Sequence, residues 1–133
     1  MTFDHLANLF YNWGWEVKPQ HYQGFKSYLL EMMRRKRVMI VFKGELIDAV
    51  ITYFLTNDYT KIYKKGEWDI PNDEPHGSQI YVDKMICRRW TPTLRRYVQE
   101  MIETTFPNVL EGYYLRAPYD RCVIIYRKET ANV

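Results

Sequence analysis

Between Val38 and Lys128 the chain sets apolar extended runs around one amphipathic helix, and that order restricts the fold more than any other feature. Val38-Met39-Ile40-Val41-Phe42 is too short for a helix and rich in β-branched residues, which favours a strand. Lys43-Gly44 marks a tight turn, and the run to Leu55 then predicts the return strand of a hairpin, Val38 to Leu55. A further strand is predicted over Gln79 to Arg88, where the alternation of Ile80, Val82, Met85 and Ile86 breaks at Asp83-Lys84, the mark of a bulge. Thr91 caps the helix that follows, with Pro92 in its first turn, and it extends to Phe106 before Pro107. Leu94, Tyr97, Val98, Met101 and Ile102 form its apolar stripe. Leu110 to Arg116 and Arg121 to Lys128 read as two closing strands, antiparallel neighbours because their connection is short.

Ahead of this core, Thr2 can cap a helix carrying Phe3, Leu6, Leu9, Phe10 and Trp13 at helical spacing, with Gly14 as its stop. A second helix begins near Pro19, with Tyr22, Phe25, Leu29 and Met32 as the buried stripe. It closes in Arg34, Arg35, Lys36 and Arg37, cations that a helix C-terminus favours. Thr56 to Ser78 is dense in turn residues and reads as a long excursion that Tyr59, Tyr63 and Trp68 fold back onto the body. The predicted class is α+β (α/β): one domain over residues 1–133, with a central mixed, mostly antiparallel sheet flanked by helices.

Hydrophobic residues are 47% of the chain and charged residues 26%, as in an ordinary globular domain. Tyr accounts for 12 residues, and its apolar body and polar tip suit both half-buried packing and partner surfaces. A net charge of +3 is too small to argue for nucleic acid by itself. Cys87 and Cys122 both fall in predicted strands, which points to reduced thiols rather than a disulfide framework. His5, His21 and His76 lie in different segments, so no metal site is predicted. No apolar run reaches the roughly 18 residues of a membrane span, and Met1-Thr2-Phe3-Asp4-His5 lacks the pattern of a signal peptide. A cytoplasmic protein with no membrane contact is the expectation.

Two N-terminal helices, a hairpin, a long strand, an amphipathic helix and two closing strands together resemble the GNAT superfamily of N-acyltransferases over most of the chain. The resemblance implies that the strand ending at Arg88 diverges from the one starting near Leu110. It also implies that the turn between strand and helix wraps the pyrophosphate of acetyl-CoA. In that family this turn has the form Gln/Arg-x-x-Gly-x-Gly/Ala, since glycines admit close backbone approach and helix-start amides face the anion. Here it reads Arg88-Arg89-Trp90-Thr91-Pro92-Thr93. Arg88 matches the leading residue, Thr91 and Thr93 replace the small residues, Pro92 removes an amide donor and Trp90 adds bulk. If the site still takes cofactor, Arg88, Arg89, Thr91 and Thr93 are its candidates. The family's general base would fall on Asp83, whose competing reading is a bulge residue or ion-pair partner of Lys84. Its tyrosine acid would fall on Tyr119, whose competing reading is a turn residue at the sheet edge. The helix that carries the tyrosine in the family has no room between Leu115 and Cys122.

Three functions follow as expectations. The first is a degenerate GNAT-like protein that needs no cofactor and works by contact with a protein partner. Its compactness is similar to that of small bacteriophage-encoded proteins, which implies a virion-associated role or one in the host cytoplasm. The second is an acetyl-CoA-dependent N-acetyltransferase acting on an amine. The third is a basic nucleic-acid-binding module using Arg34 to Arg37 and Arg88 to Arg96 with interleaved aromatics.

Overall fold

The computed structural model describes residues 3–12, 19–116 and 121–128. Helix α1 (Phe3–Asn12) and helix α2 (Tyr22–Arg34, after a 3₁₀ turn at Pro19–His21) precede the hairpin of β1 (Val38–Lys43) and β2 (Leu46–Thr56). The excursion over 57–78 contains a 3₁₀ turn at Tyr59–Lys61, and β3 (Gln79–Cys87), α3 (Pro92–Thr105), β4 (Glu111–Arg116) and β5 (Arg121–Arg127) follow. The strands form one open five-stranded sheet in the order β1-β2-β3-β4-β5. All neighbours are antiparallel except β3 and β4, which the α3 crossover makes parallel. This is the α+β class expected. Thr2, Trp13 and Gly14, assigned above to the first helix and its ends, lie outside the described residues.

Alternation along β2 and β3 sends residues to opposite faces of the sheet. One face carries Val41, Ala49, Ile51, Leu55, Ile80 and Val82, and the apolar stripe of α3 covers them with Leu94, Val98 and Ile102. The other carries Val50, Phe54, Tyr81 and Ile86 beneath α1, α2 and the excursion. Two tyrosines depart from the predicted stripes. Tyr22 is 46% exposed and Tyr97 53% exposed, because each stripe is narrower than its apolar letters suggest. Tyr28 takes the buried place on α2 instead.

Two glycines fix the excursion. A side chain at Gly77 would place Cβ 2.5 Å from the Thr56 carbonyl oxygen, so only glycine lets the chain return to β3 there. On α2, a Cβ at Gly24 would meet the Trp68 ring at 3.3 Å, and its absence lets the indole settle against the helix. Asp73 secures the loop further. Its carboxylate accepts from the Leu55 amide at 2.9 Å and pairs with Arg37 at 2.7 Å.

Candidate functional site

The bulge predicted at Asp83-Lys84 organises the centre of the molecule. Thr52 pairs with Lys84 and Tyr53 with Val82, so Asp83 is the extra residue on β3. A bulge bends its strand and resets the alternation. Asp83 and Lys84 therefore both face α2 and the excursion, where Lys84 Nζ lies 4.8 Å from the Trp68 ring centre. The β3–β4 ladder ends immediately before the bulge. It runs from Gln79↔Glu111 to Val82↔Tyr114, and beyond it β3 continues to Cys87 with no β4 partner. Tyr114 stands half-buried at the last rung. Burial, with Cys87 and Asp83 adding to it, raises its hydroxyl above the ordinary tyrosine value.

Asp83 is enclosed rather than open to a substrate. Its carboxylate accepts from the Tyr28 hydroxyl at 2.5 Å and pairs at 3.1 Å with Lys65, a residue of the excursion. The two side chains are only 5% and 8% exposed. Tyr28 has one proton and gives it to Asp83, so Thr52, 2.7 Å away, donates to the tyrosine oxygen. The Thr52 oxygen in turn accepts from the Lys84 amide at 3.0 Å. Burial first, then the carboxylate, hold the Tyr28 phenol far above the ordinary tyrosine range. Burial lowers the Lys84 ammonium, with the Asp83 charge opposing that shift. Asp83 is thus a bulge residue that pairs with Lys65, and its charge also acts on the neighbouring Lys84.

At the turn before α3 the residues are arranged differently. Arg88, Arg89 and Thr93 are exposed, and among the described residues neither arginine, nor Arg95 or Arg96, makes an ion pair. Trp90 is 40% exposed and turns toward solvent. Thr91 is the N-cap, its hydroxyl accepting from the Leu94 amide at 3.1 Å. Pro92 has no amide and the Arg95 amide bonds the Thr91 carbonyl, so Thr93 supplies the one amide of the first turn still open. A cavity of about 380 Å³ opens between this turn and the β1–β2 hairpin, and its lining includes Phe42, Lys43, Asp48, Thr91, Thr93 and Tyr97.

The structure brings Thr91 and Thr93 to one cavity, and places Asp83 away from it on the face beneath α2. Tyr119 lies outside the described residues. Tyr28, Thr52, Lys65 and Tyr114 escaped the sequence reading. The broken alternation at Asp83 was the only local sign of a buried cluster there. Cys87 is a half-buried free thiol whose pKa burial raises, with Asp48 adding to it. Among the described residues no cluster of His, Cys, Asp and Glu could hold a metal ion, and no helix is long and apolar enough to cross a membrane. Comparison with family models, curated proteins and solved structures finds no match.

Proposed function

We propose that this protein acts by contact with a protein partner, on a GNAT-like framework that has lost acyl transfer, in the host cell or in a virion. One observation carries the reading: the first turn of α3 meets most of its own hydrogen-bonding needs. Thr91 caps it, Pro92 contributes no donor, and of the amides within that helical turn Thr93 alone is left for an anion. A pyrophosphate cradle works through several converging amides, and this helix start does not offer them. The enclosure of Asp83 by Tyr28 and Lys65 supports the same reading, since a base must reach the proton it removes.

The end of the β3–β4 ladder at Val82↔Tyr114, with unpaired arginines at the end of β3, favours a second reading, acetyl-CoA-dependent transfer to an amine. Guanidinium groups can hold phosphate without help from amides. Thermal unfolding with and without acetyl-CoA separates the two. A ligand at a hundred times its Kd adds about 2.7 kcal/mol, which raises the Tm of a domain this size by roughly 10 °C. The contact reading expects no rise at millimolar cofactor. A rise that charge reversal at Arg88 and Arg89 abolishes would overturn it.

A further inference from the structure

The start of α3 is charged against the preference of its own helix. A helix N-terminus favours acids and disfavours cations. Arg88 and Arg89 precede α3, Arg95 and Arg96 follow its opening residues, and no acid occurs from Arg88 to Gln99. The acids of this helix, Glu100 and Glu103, stand in its second half. All four arginines are exposed, and none makes an ion pair among the described residues. The other basic run is already engaged: Arg34 and Arg35 pair with Glu31, and Arg37 pairs with Asp73. Free cations at the start of α3 destabilise the isolated helix, and an anion supplied from outside offsets that.

The positions of the arginines say what kind of anion. Arg96 lines a hollow of about 220 Å³ with Thr93, Tyr97 and Glu100. Arg95 lines a separate one of about 320 Å³ beside Gln99 and β5. Arg88 and Arg89 lie in the turn ahead of both. One small anion is held by donors that converge on it. Cations strung over a helix start suit a chain of repeating negative charge instead. Acids border the row at Glu100 and at Asp48, whose carbonyl accepts from the Arg88 amide at 3.1 Å, so four cations face two acids. Lys43 and Glu45 offset each other at the hairpin turn.

Exposed rings stand among these cations. Trp90, 40% exposed, follows Arg89, and Tyr97, 53% exposed, follows Arg96. Such rings are stacking platforms for unpaired bases. A polyanion without bases leaves them unused, a duplex keeps its base faces covered, and a second copy of this chain brings the same cations. We infer that the segment from Arg88 to Tyr97 binds single-stranded nucleic acid, with Arg88, Arg89, Arg95 and Arg96 on phosphates and Trp90 and Tyr97 on bases. This goes beyond the protein-contact reading and does not rest on it.

Fluorescence anisotropy with a labelled oligothymidylate of about 16 nucleotides tests this. Log affinity should fall with log salt at a slope of about −2 to −3, as four phosphate contacts at roughly −0.7 each require. The Arg95→Ala, Arg96→Ala double variant should weaken binding about tenfold or more and reduce the slope by about 1.4. Its Tm should equal or exceed the parent's, because the removed cations oppose the helix. The Trp90→Ala, Tyr97→Ala double variant should weaken the oligonucleotide about tenfold and leave inorganic polyphosphate unaffected. No binding at about 50 mM salt, a salt-independent affinity, or an unchanged affinity in either double variant would overturn the inference. A lower Tm in the arginine variant would overturn it too, by assigning those side chains to the fold. So would equal or tighter binding of polyglutamate, of a duplex of the same length, or of phosphatidylserine vesicles, each naming a different partner. Displacement by millimolar acetyl-CoA would also overturn it, and would return the arginines to the acyl-transfer reading. Failure of the oligonucleotide without any acetyl-CoA-induced Tm rise removes this site alone and leaves the protein-contact reading intact.

Discussion

On the face covered by α3 the sheet buries Val41, Ile51, Ile80 and Val82 against Leu94, Val98 and Ile102, with hardly a polar atom among them. On the opposite face it buries Lys84, the Asp83–Lys65 pair and two hydroxyls beneath α2 and a loop. The same strands supply both. The first arrangement depends on area removed from water and is indifferent to pH. The second depends on charge balance in a poorly solvated place, where the Asp83 carboxylate pairs with Lys65 and, with Glu67, also acts on Lys84. The difference assigns the faces different weaknesses: one fails by loss of volume, the other by loss of a single charge.

Removing that carboxylate breaks the comparison most directly. Asp83→Ala leaves Lys65 buried without its paired carboxylate and should cost about 3–5 kcal/mol in urea unfolding. Ile102→Ala on the dry face opens a cavity and should cost about 2–4 kcal/mol, with the same value across pH 5–9. If Asp83→Ala costs less than Ile102→Ala, the polar cluster is peripheral to stability and the contrast between the faces fails.

Lys84 sharpens the contrast through pH. Its folded pKa lies below the ordinary lysine value of 10.5, chiefly through burial. Between those two values the unfolded chain holds the proton more tightly than the fold does, so stability rises with pH across that window. Below the folded value the penalty is constant. Tyr28 acts in the opposite sense. The fold keeps its phenol protonated while the unfolded chain releases it above the ordinary value of 10.0, so stability is lost as pH climbs past that point. Lys84→Met retains the bulk and discards the charge. It should stabilise the protein by about 1–2 kcal/mol at pH 7, and the gain should shrink as pH approaches 10. A gain that stays constant with pH would mean that packing, and not the buried charge, separates the two proteins.

The faces also differ in how far the sequence revealed them. The α3 face was legible because its signals are local. Thr91-Pro92 starts the helix, Leu94, Val98 and Ile102 repeat at its period, and Lys43-Gly44 turns the hairpin beneath it. The bulge was legible for the same reason, since Asp83-Lys84 interrupts a run that otherwise alternates. What Asp83 touches was not. Lys65 reaches it only because the excursion folds back over the sheet, and no period or cap in the sequence encodes that closure. Tyr22 and Tyr97 show a second limit. Each has the correct helical spacing, but a tyrosine at the margin of a stripe can lie either way, and both turned outward. At the candidate site, the exposed Arg88, Arg89 and Thr93 lay where the strand-to-helix order put them. The self-capped first turn followed from Thr91 and Pro92.

The smallest predicted effect concerns how the helices end. α3 stops at Phe106 with an unstrained φ of −128°, followed by Pro107. α2 stops by a left-handed residue: the Lys36 amide bonds the Met33 carbonyl at 3.1 Å and the Arg37 amide bonds the Met32 carbonyl at 2.9 Å. Glycine is the usual occupant of this position, because any Cβ there crowds the backbone. Lys36→Gly should therefore raise stability by about 0.5–1 kcal/mol, after allowance for the greater freedom glycine gives the unfolded chain. Urea unfolding of the two proteins checks this: a Lys36→Gly variant no more stable than the parent would mean that the lysine side chain contributes contacts that offset its left-handed backbone.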